Sequence, residues 1–410
     1  MEMRLRVMFF TSRFPYPTIK GDQLRAYHFI RLLSNTFDIY LFSVTSVPLS
    51  QEEIMAVERY VKTMKIYQLG RVERTMNTLR SLFNDKPLQV NYYYSTSIKA
   101  QFEGFVKINK PHVIIVQTPR LFPYVERITS IPVIVDLQDA FSLNFISRAR
   151  YSRFYLKPVY FLEGKRLRKY ERTILSTSFH TFCIISYRDK RFIEQGSGDR
   201  CVVVPNGFSP EYLNHTPSLQ EKYDILFTGN LGYEPNVHAV RYLVNDIYPL
   251  LEEGVKVLIA GANPSGVIRS LQNKNRNIKF MFDVKDMREV YGIGKVYVAP
   301  VFFGSGMLNK ILEAMISGLP VVTTPYAIEA FSPEIKDIVF CAKNKYEFKE
   351  HITALLYNEE MRRSLSLKSR EYILKNYTWE RSVEILSSMI FSICERFYGY
   401  RLRGELTLSQ

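Results

Sequence analysis

Along the chain, short runs of apolar residues alternate with longer stretches whose apolar positions recur every three or four residues. Runs of the first kind suit buried strands and stretches of the second kind suit amphipathic helices, so their alternation predicts a mostly parallel α/β architecture. Strands are expected at Arg4 to Thr11, Asp38 to Val44, His112 to Gln117, Val133 to Leu137, Thr181 to Ser186 and Arg200 to Val204. After the first strand, Ser12 to Gly21 reads as a loop with Pro15 and Pro17. Asp22 then stands where it can cap a helix whose Ala26, Phe29, Ile30 and Leu33 share one face. Pro205-Asn206-Gly207 ends this first series, and Ser209 to Lys222, with Pro210 and Pro217, reads as a linker. A second series follows, with strands at Asp224 to Gly229, Val255 to Ala260, Asn277 to Phe282, Lys295 to Pro300 and Pro320 to Thr324. The pattern predicts two similar modules, residues 1–208 and 209–378. A terminal helix at about 379–397 is able to pack on either of them.

Composition agrees with two globular cores. Hydrophobic residues make up 46% of the 410 and charged residues 23%. Cys183, Cys201, Cys341 and Cys394 are scattered, which argues against a disulfide framework or a zinc site and makes a reducing cytosol the expected compartment. The apolar run Val7 to Phe10 is too short for a signal peptide, and no stretch approaches the ~20 apolar residues of a membrane span. The six histidines are dispersed and form no metal or triad pattern. Net charge is +15, alongside 28 Tyr and 28 Phe. Such a balance suits an anionic partner, whether nucleic acid, membrane surface or phosphorylated substrate. Arg148 to Arg172 concentrates it in a basic, aromatic segment suited to membrane headgroups or a diphosphate lipid, and also to RNA.

The most informative segment is Gly304 to Thr324. A helix is expected from near Leu308 to Gly318, which suits its C-terminal cap. Gly304 and Gly306 let the backbone approach a ligand, and the N–H groups of Met307 and Leu308 with the helix dipole favour an anion there. Lys310 adds positive charge in the first turn. Glu313, one turn on, can accept hydrogen bonds from two vicinal hydroxyls. Diphosphate at the helix end and ribose one turn along is the layout of a nucleotide-sugar site.

Glu313-Ala314-Met315, Gly318 and Pro320-Val321-Val322 resemble the donor-site motif of retaining GT-B glycosyltransferases, particularly glycosyltransferase family 4, also described as glycosyl transferases group 1. Ser305 stands where that motif has its first glutamate. Arg13 to Gly21 with Arg25 resembles the family's first loop, Val203 to Gly207 its Pro-Asn-Gly turn, and Phe227 to Asn236 the opening of its nucleotide-binding domain. Asn230 replaces the family's arginine and Pro235-Asn236 its lysine, which shifts the diphosphate onto Lys310, Asn309 and the helix end. Gln138-Asp139 matches a His-Asp pair, with Gln138 in place of the histidine.

The resemblance implies a GT-B fold, two Rossmann-like domains facing across a cleft, with the terminal helix returning to the first. It implies transfer of a hexosyl-type sugar, with retention, to a glycan, lipid-linked or small-molecule acceptor. Asp139 and Lys310 are assigned catalytic roles. Gly229, Asn230, Gly304, Ser305, Gly306, Met307, Leu308, Asn309, Lys310 and Glu313 are assigned to the donor, and Arg13, Gly21, Arg25, Gln138 and Asn206 to the acceptor side. No metal and no cofactor beyond the nucleotide diphosphate sugar is expected, because Asp136-Leu137-Gln138-Asp139 lacks the spacing of a metal-binding acid pair. Weak association with the inner face of an anionic membrane is expected through residues 148–172, and nucleic acid is not expected as a partner. Two rival readings are a nucleotide-sugar epimerase or hydrolase on the same fold and a non-catalytic basic protein that binds nucleic acid or lipid.

Overall fold

The structure, a computed structural model, describes residues 4–81, 84–152, 154–196, 198–213, 222–272 and 274–399. Two parallel sheets organise it. The first contains β1 (Arg6–Thr11), β2 (Asp38–Thr45), β3 (Thr63–Gln68), β4 (Val113–Gln117), β5 (Val133–Asp136), β6 (His180–Ile184) and β7 (Cys201–Val203), in the order β3-β2-β1-β4-β5-β6-β7. The second contains β8 (Tyr223–Thr228), β9 (Val257–Gly261), β10 (Ile278–Phe282), β11 (Gly294–Ala299), β12 (Val321–Thr323) and β13 (Phe340–Cys341), in the order β10-β9-β8-β11-β12-β13. Both orders reverse direction beside their first strand. The reversals fall between β1 and β4 and between β8 and β11, where doubly wound sheets open a crevice at the carboxyl ends of their strands.

The central strands are apolar almost throughout because helices cover both faces. Val7, Met8, Phe9 and Phe10 of β1 are buried, as are Ile225, Leu226 and Phe227 of β8. β3 was not expected from the sequence: it is an edge strand, TMKIYQ, in which no residue is fully buried. The two-residue β13 was likewise not expected. Of the expected linker, residues 214–221 lie outside the described residues.

The expectation that Asp22 caps the first helix is corrected. The helix Gly21–Leu33 starts after Lys20 without a side-chain cap, and Asp22 sits inside its first turn. Its carboxylate is taken by Arg13 and lies 3.8 Å from Arg120, so it serves the cleft wall instead of the helix end.

The terminal helix Trp379–Tyr398 packs on the first sheet. Trp379, Leu386, Ile390 and Cys394 share a core with Val7, Phe9, Ile115 and Ile134. Trp379 stacks on His28 at 4.3 Å, and desolvation there, helped by Arg31, lowers the His28 pKa to about 4. The two chain crossings between the halves run side by side: Phe208 N–H donates to Tyr377 O at 3.0 Å and Ser382 Oγ to Pro205 O at 2.7 Å.

Candidate active site

Loops from the carboxyl ends of β1, β5, β8 and β11 converge on a cavity of about 710 Å3 between the two sheets. Its first-sheet wall is held from behind by Arg25. That side chain is wholly buried and its guanidinium is saturated: Nε and Nη2 reach Asp136 at 2.7 and 3.2 Å, and Nη1 reaches Val204 O at 2.8 Å and Asn206 Oδ1 at 3.1 Å. Arg25, assigned above to the acceptor side, thus ties β5 to the turn at Asn206. Gln138 follows β5 with φ +62°, a left-handed conformation uncommon outside glycine. Its Nε2 is buried at the cavity without a partner among the described residues, as is Oδ1 of Asn309 on the opposite wall. Buried polar atoms are rarely left so, and two of them bordering one cavity mark a place for a polar ligand.

On the second-sheet side, the helix Asn309–Ile316 begins at the cavity and ends in a Schellman motif. Leu319 N–H donates to Ala314 O and Gly318 N–H to Met315 O, both at 3.0 Å, with Gly318 at φ +82°. Lys310 does not line the cavity. Its Nζ lies 2.5 Å from Asn236 Oδ1 and 4.5 Å from the Phe227 ring centroid. Desolvation by burial lowers its pKa to about 7. Glu313 borders a second cavity, of about 420 Å3, together with Tyr212, Lys285 and Arg288. Tyr291 OH donates to Glu313 Oε2 at 2.9 Å and Tyr212 also hydrogen-bonds the carboxylate, yet burial raises its pKa to about 7. Asn309 borders both cavities, so the two form neighbouring compartments of one cleft.

The Gly304–Gly306 loop is clasped from the opposite lobe. Ser305 Oγ donates to Asp139 Oδ2 at 2.7 Å and accepts from Asn144 Nδ2 at 2.7 Å. Gly306, at φ +75°, gives its N–H to Asp189 Oδ2 at 2.7 Å and its carbonyl to Arg188 Nη2 at 2.8 Å. That N–H is therefore already engaged. Burial and the neighbouring Asp189 raise the Asp139 pKa to about 6, against the opposing pull of Ser305 and Arg120.

Of the residues selected from the sequence, Arg13, Gly21, Gln138, Asp139, Asn206, Asn230, Ser305, Gly306, Met307 and Asn309 surround the larger cavity, and Arg25 reaches it from behind. Gly229, Gly304, Leu308 and Lys310 stand outside its lining. Sequence reasoning missed Asp189 and Arg188, which lie more than a hundred positions from Gly306 in the chain and carry no local pattern. It also missed Tyr212 and Tyr291 beside Glu313. The Ser186 cap, which accepts from Asp189 N at 3.1 Å, is the one local signal that a helix starts there.

Residues 222–358 match the family described as Glycosyl transferases group 1. Over 388 residues, 88% of this chain and 94% of the relative, the chain is 21% identical to an uncharacterized 44.6 kDa protein in the cps region of Klebsiella pneumoniae. Over 185 residues, 42% of this chain and 47% of the relative, it is 23% identical to the uncharacterized glycosyltransferase MJ1069 of Methanocaldococcus jannaschii. Among solved structures it is similar to a glycosyltransferase from Rickettsia africae, with TM-score 0.66, 11% identity, and coverage of 95% of this chain and 98% of that one. Sucrose-phosphate synthase from Thermosynechococcus elongatus gives TM-score 0.65 and 12% identity over 94% and 98% of the two chains. Anabaena HepE in complex with UDP-glucose gives 0.62 and 12% over 94% and 99%. The fold is GT-B, built from two Rossmann-like parallel sheets. Together with the family match, it supports a sugar-transferring enzyme of the GT-B class.

Proposed function

We propose that this chain is a retaining, family 4 type hexosyltransferase that moves a sugar from a nucleotide diphosphate sugar to a glycan, lipid-linked or small-molecule acceptor. The observation that carries the reading is the position of Lys310. Its Nζ hydrogen-bonds the side chain of Asn236, the residue at the place where the family resemblance has a lysine. A cation delivered from the helix thus reaches the spot from which the loop's own cation is missing. Diphosphate binds over the start of the helix Asn309–Ile316, with the Lys310 ammonium behind the cavity lining at Asn236, ribose reaches Glu313 in the neighbouring compartment, and the sugar faces Asp139. HepE complexes with UDP and UDP-glucose, and a TarM complex with UDP, support a donor of this class.

In the transfer, the bond from sugar C1 to the β-phosphate oxygen breaks and a bond from C1 to the acceptor oxygen forms on the same face. The acceptor's hydroxyl proton passes to the departing phosphate. Charge growing on that phosphate is stabilised by Lys310 and the helix dipole, with no metal required. The chain works in the cytoplasm, at the inner face of a membrane. Support for membrane association comes from Phe154, Tyr155, Phe161 and Leu162, which are 48–83% exposed beside exposed Lys157, Lys165 and Lys169. Val72, Met76 and Leu79 add an exposed apolar stripe on the helix Arg71–Arg80. Among the described residues no helix is long and apolar enough to cross a membrane. Arg153 lies outside the described residues.

Calorimetry with UDP, GDP and ADP, in EDTA throughout, tests the donor reading. One nucleoside diphosphate should bind at least about tenfold tighter than its nucleoside, since a hydrogen bond to a charged group contributes about 1.5–3 kcal/mol and tenfold is about 1.4 kcal/mol. No binding of any of the three sinks the proposal.

A further inference from the structure

The larger cavity is electrically lopsided. Arg13, Lys20, Arg120 and Arg148 face it from the first-sheet side, and Arg25 behind them is matched by Asp136. Against these four cations stand two carboxylates, Asp22 and Asp139. Asp22 is shared, touching Arg13 and lying 3.8 Å from Arg120. Asp139 is committed to Ser305. The second-sheet wall offsets nothing, since Asn230, Tyr233, Ser305, Gly306, Met307 and Asn309 bring no acid and no base.

Lys20 is exposed and makes no ion pair within 4.0 Å among the described residues. Arg148 has no carboxylate partner within 4.0 Å among the described residues either, and lies 5.7 Å from the ring centroid of Tyr233. Arg120 is largely withdrawn from water, with a side chain 14% exposed, and is steadied by Gln89 Oε1 at 2.8 Å and by the rings of Tyr93 and Phe141. A guanidinium held in this way is set to meet an anion without losing much side-chain entropy. Ile19 at the mouth, 82% exposed, and Phe141 and Phe145 on the wall give the same side an apolar margin.

We propose that the acceptor substrate carries an acidic group, a phosphate, diphosphate or carboxylate, and that Arg120, Arg148 and Lys20 receive it on the first-sheet side of the cleft. The proposal rests on the donor reading above in one respect: Lys310, buried behind the opposite wall, supplies the cation for the donor's diphosphate, which leaves these three for the acceptor. An acid held here faces the contact between Asp139 and Ser305, so the group that recognises the acceptor and the place of transfer share one cavity.

The test is calorimetry on the full chain, with and without a saturating nucleoside diphosphate, titrating glucose, glucuronate, glucose 6-phosphate and geranyl diphosphate. At least one acidic probe should bind about tenfold or more tighter than glucose, with an affinity that falls as salt is added. Arg148→Gln and Lys20→Gln should each weaken that probe several-fold while leaving the melting temperature and nucleotide affinity unchanged. Preference for geranyl diphosphate would assign a lipid-linked acceptor, and preference for glucose 6-phosphate or glucuronate a free or glycan-borne acid. Equal binding of glucose and the acids overturns the proposal, as does no binding of any acid. Loss of nucleotide affinity in the two variants overturns it too, because the cations would then serve the donor. If the acids bind and no nucleotide does, the donor reading fails and the acid site stands; the reverse result removes the acid site alone.

Discussion

Lys310→Met removes one charge and keeps most of the apolar stem. In the free protein, burial places the Lys310 pKa at about 7. The ammonium is then about half populated at pH 7 and roughly 1% populated at pH 9. A bound diphosphate restores the charge, so binding takes up a proton whenever the lysine began neutral. Affinity for the nucleoside diphosphate should therefore fall about fiftyfold between pH 7 and pH 9, or about 2.3 kcal/mol, as long as the bound lysine stays charged. Calorimetry in two buffers of different ionisation enthalpy measures the proton uptake directly. In the methionine variant affinity should be lower at pH 7, by about ten- to a hundredfold, and flat with pH. The stability signature has its own sign. A lysine whose folded pKa is depressed bears its full burial cost below pH 7, and the cost is relieved as pH rises from 7 toward 10.5. The variant should thus gain most in melting temperature on the acid side. A parent affinity that is flat from pH 7 to 9, or a slope that survives in Lys310→Met, would refute the assignment of Lys310 to the diphosphate.

Other consequences follow from the same geometry. Glu313 is raised from 4.5 to about 7, so its burial cost grows from pH 4.5 to 7 and is complete above that; Glu313→Gln should melt higher than the parent at pH 8 and close to it near pH 4.5. Gly207 has no room for a side chain, since a Cβ there would lie 2.2 Å from Trp379 N. Gly207→Ala should cost at least about 2 kcal/mol in denaturant titrations followed by fluorescence of Trp379, the only tryptophan. Phe161→Ser combined with Leu162→Ser should reduce co-sedimentation with anionic vesicles, and salt should do the same to the parent; unchanged binding would place the membrane surface elsewhere.

The parts of the molecule legible in the sequence are those whose cause is local. β1, β4, β8 and β11 are runs of buried apolar residues, and burial on both faces writes itself into composition. The turn at Gly318 could be read because the Schellman geometry requires a residue at positive φ. β3 could not be read in this way, since an edge strand half open to water needs no apolar run. Asp22 was misjudged for a related reason. Its position suits a cap, but two arginines, Arg120 arriving from nearly a hundred residues away, compete for the same carboxylate. The clasp of Asp189 and Arg188 on Gly306, and the two tyrosines on Glu313, are products of how the halves meet, and nothing near them in the chain announces it.

The last helix has a consequence for how the molecule is made. Trp379, Leu386, Ile390 and Cys394 complete a core whose other members, Val7, Phe9 and Leu41 among them, emerge from the ribosome more than three hundred residues earlier. The first half therefore waits, with part of one face of its sheet uncovered beside the helix Gly21–Leu33, until the whole of the second half has been synthesised. A nascent chain halted anywhere before residue 379 exposes that apolar part to solvent, and a fragment cut at 208 never covers it. The first half is therefore not a free-standing piece that can be exchanged with a relative's. Any chimera has to take the helix Trp379–Tyr398 from the same parent as its first two hundred residues.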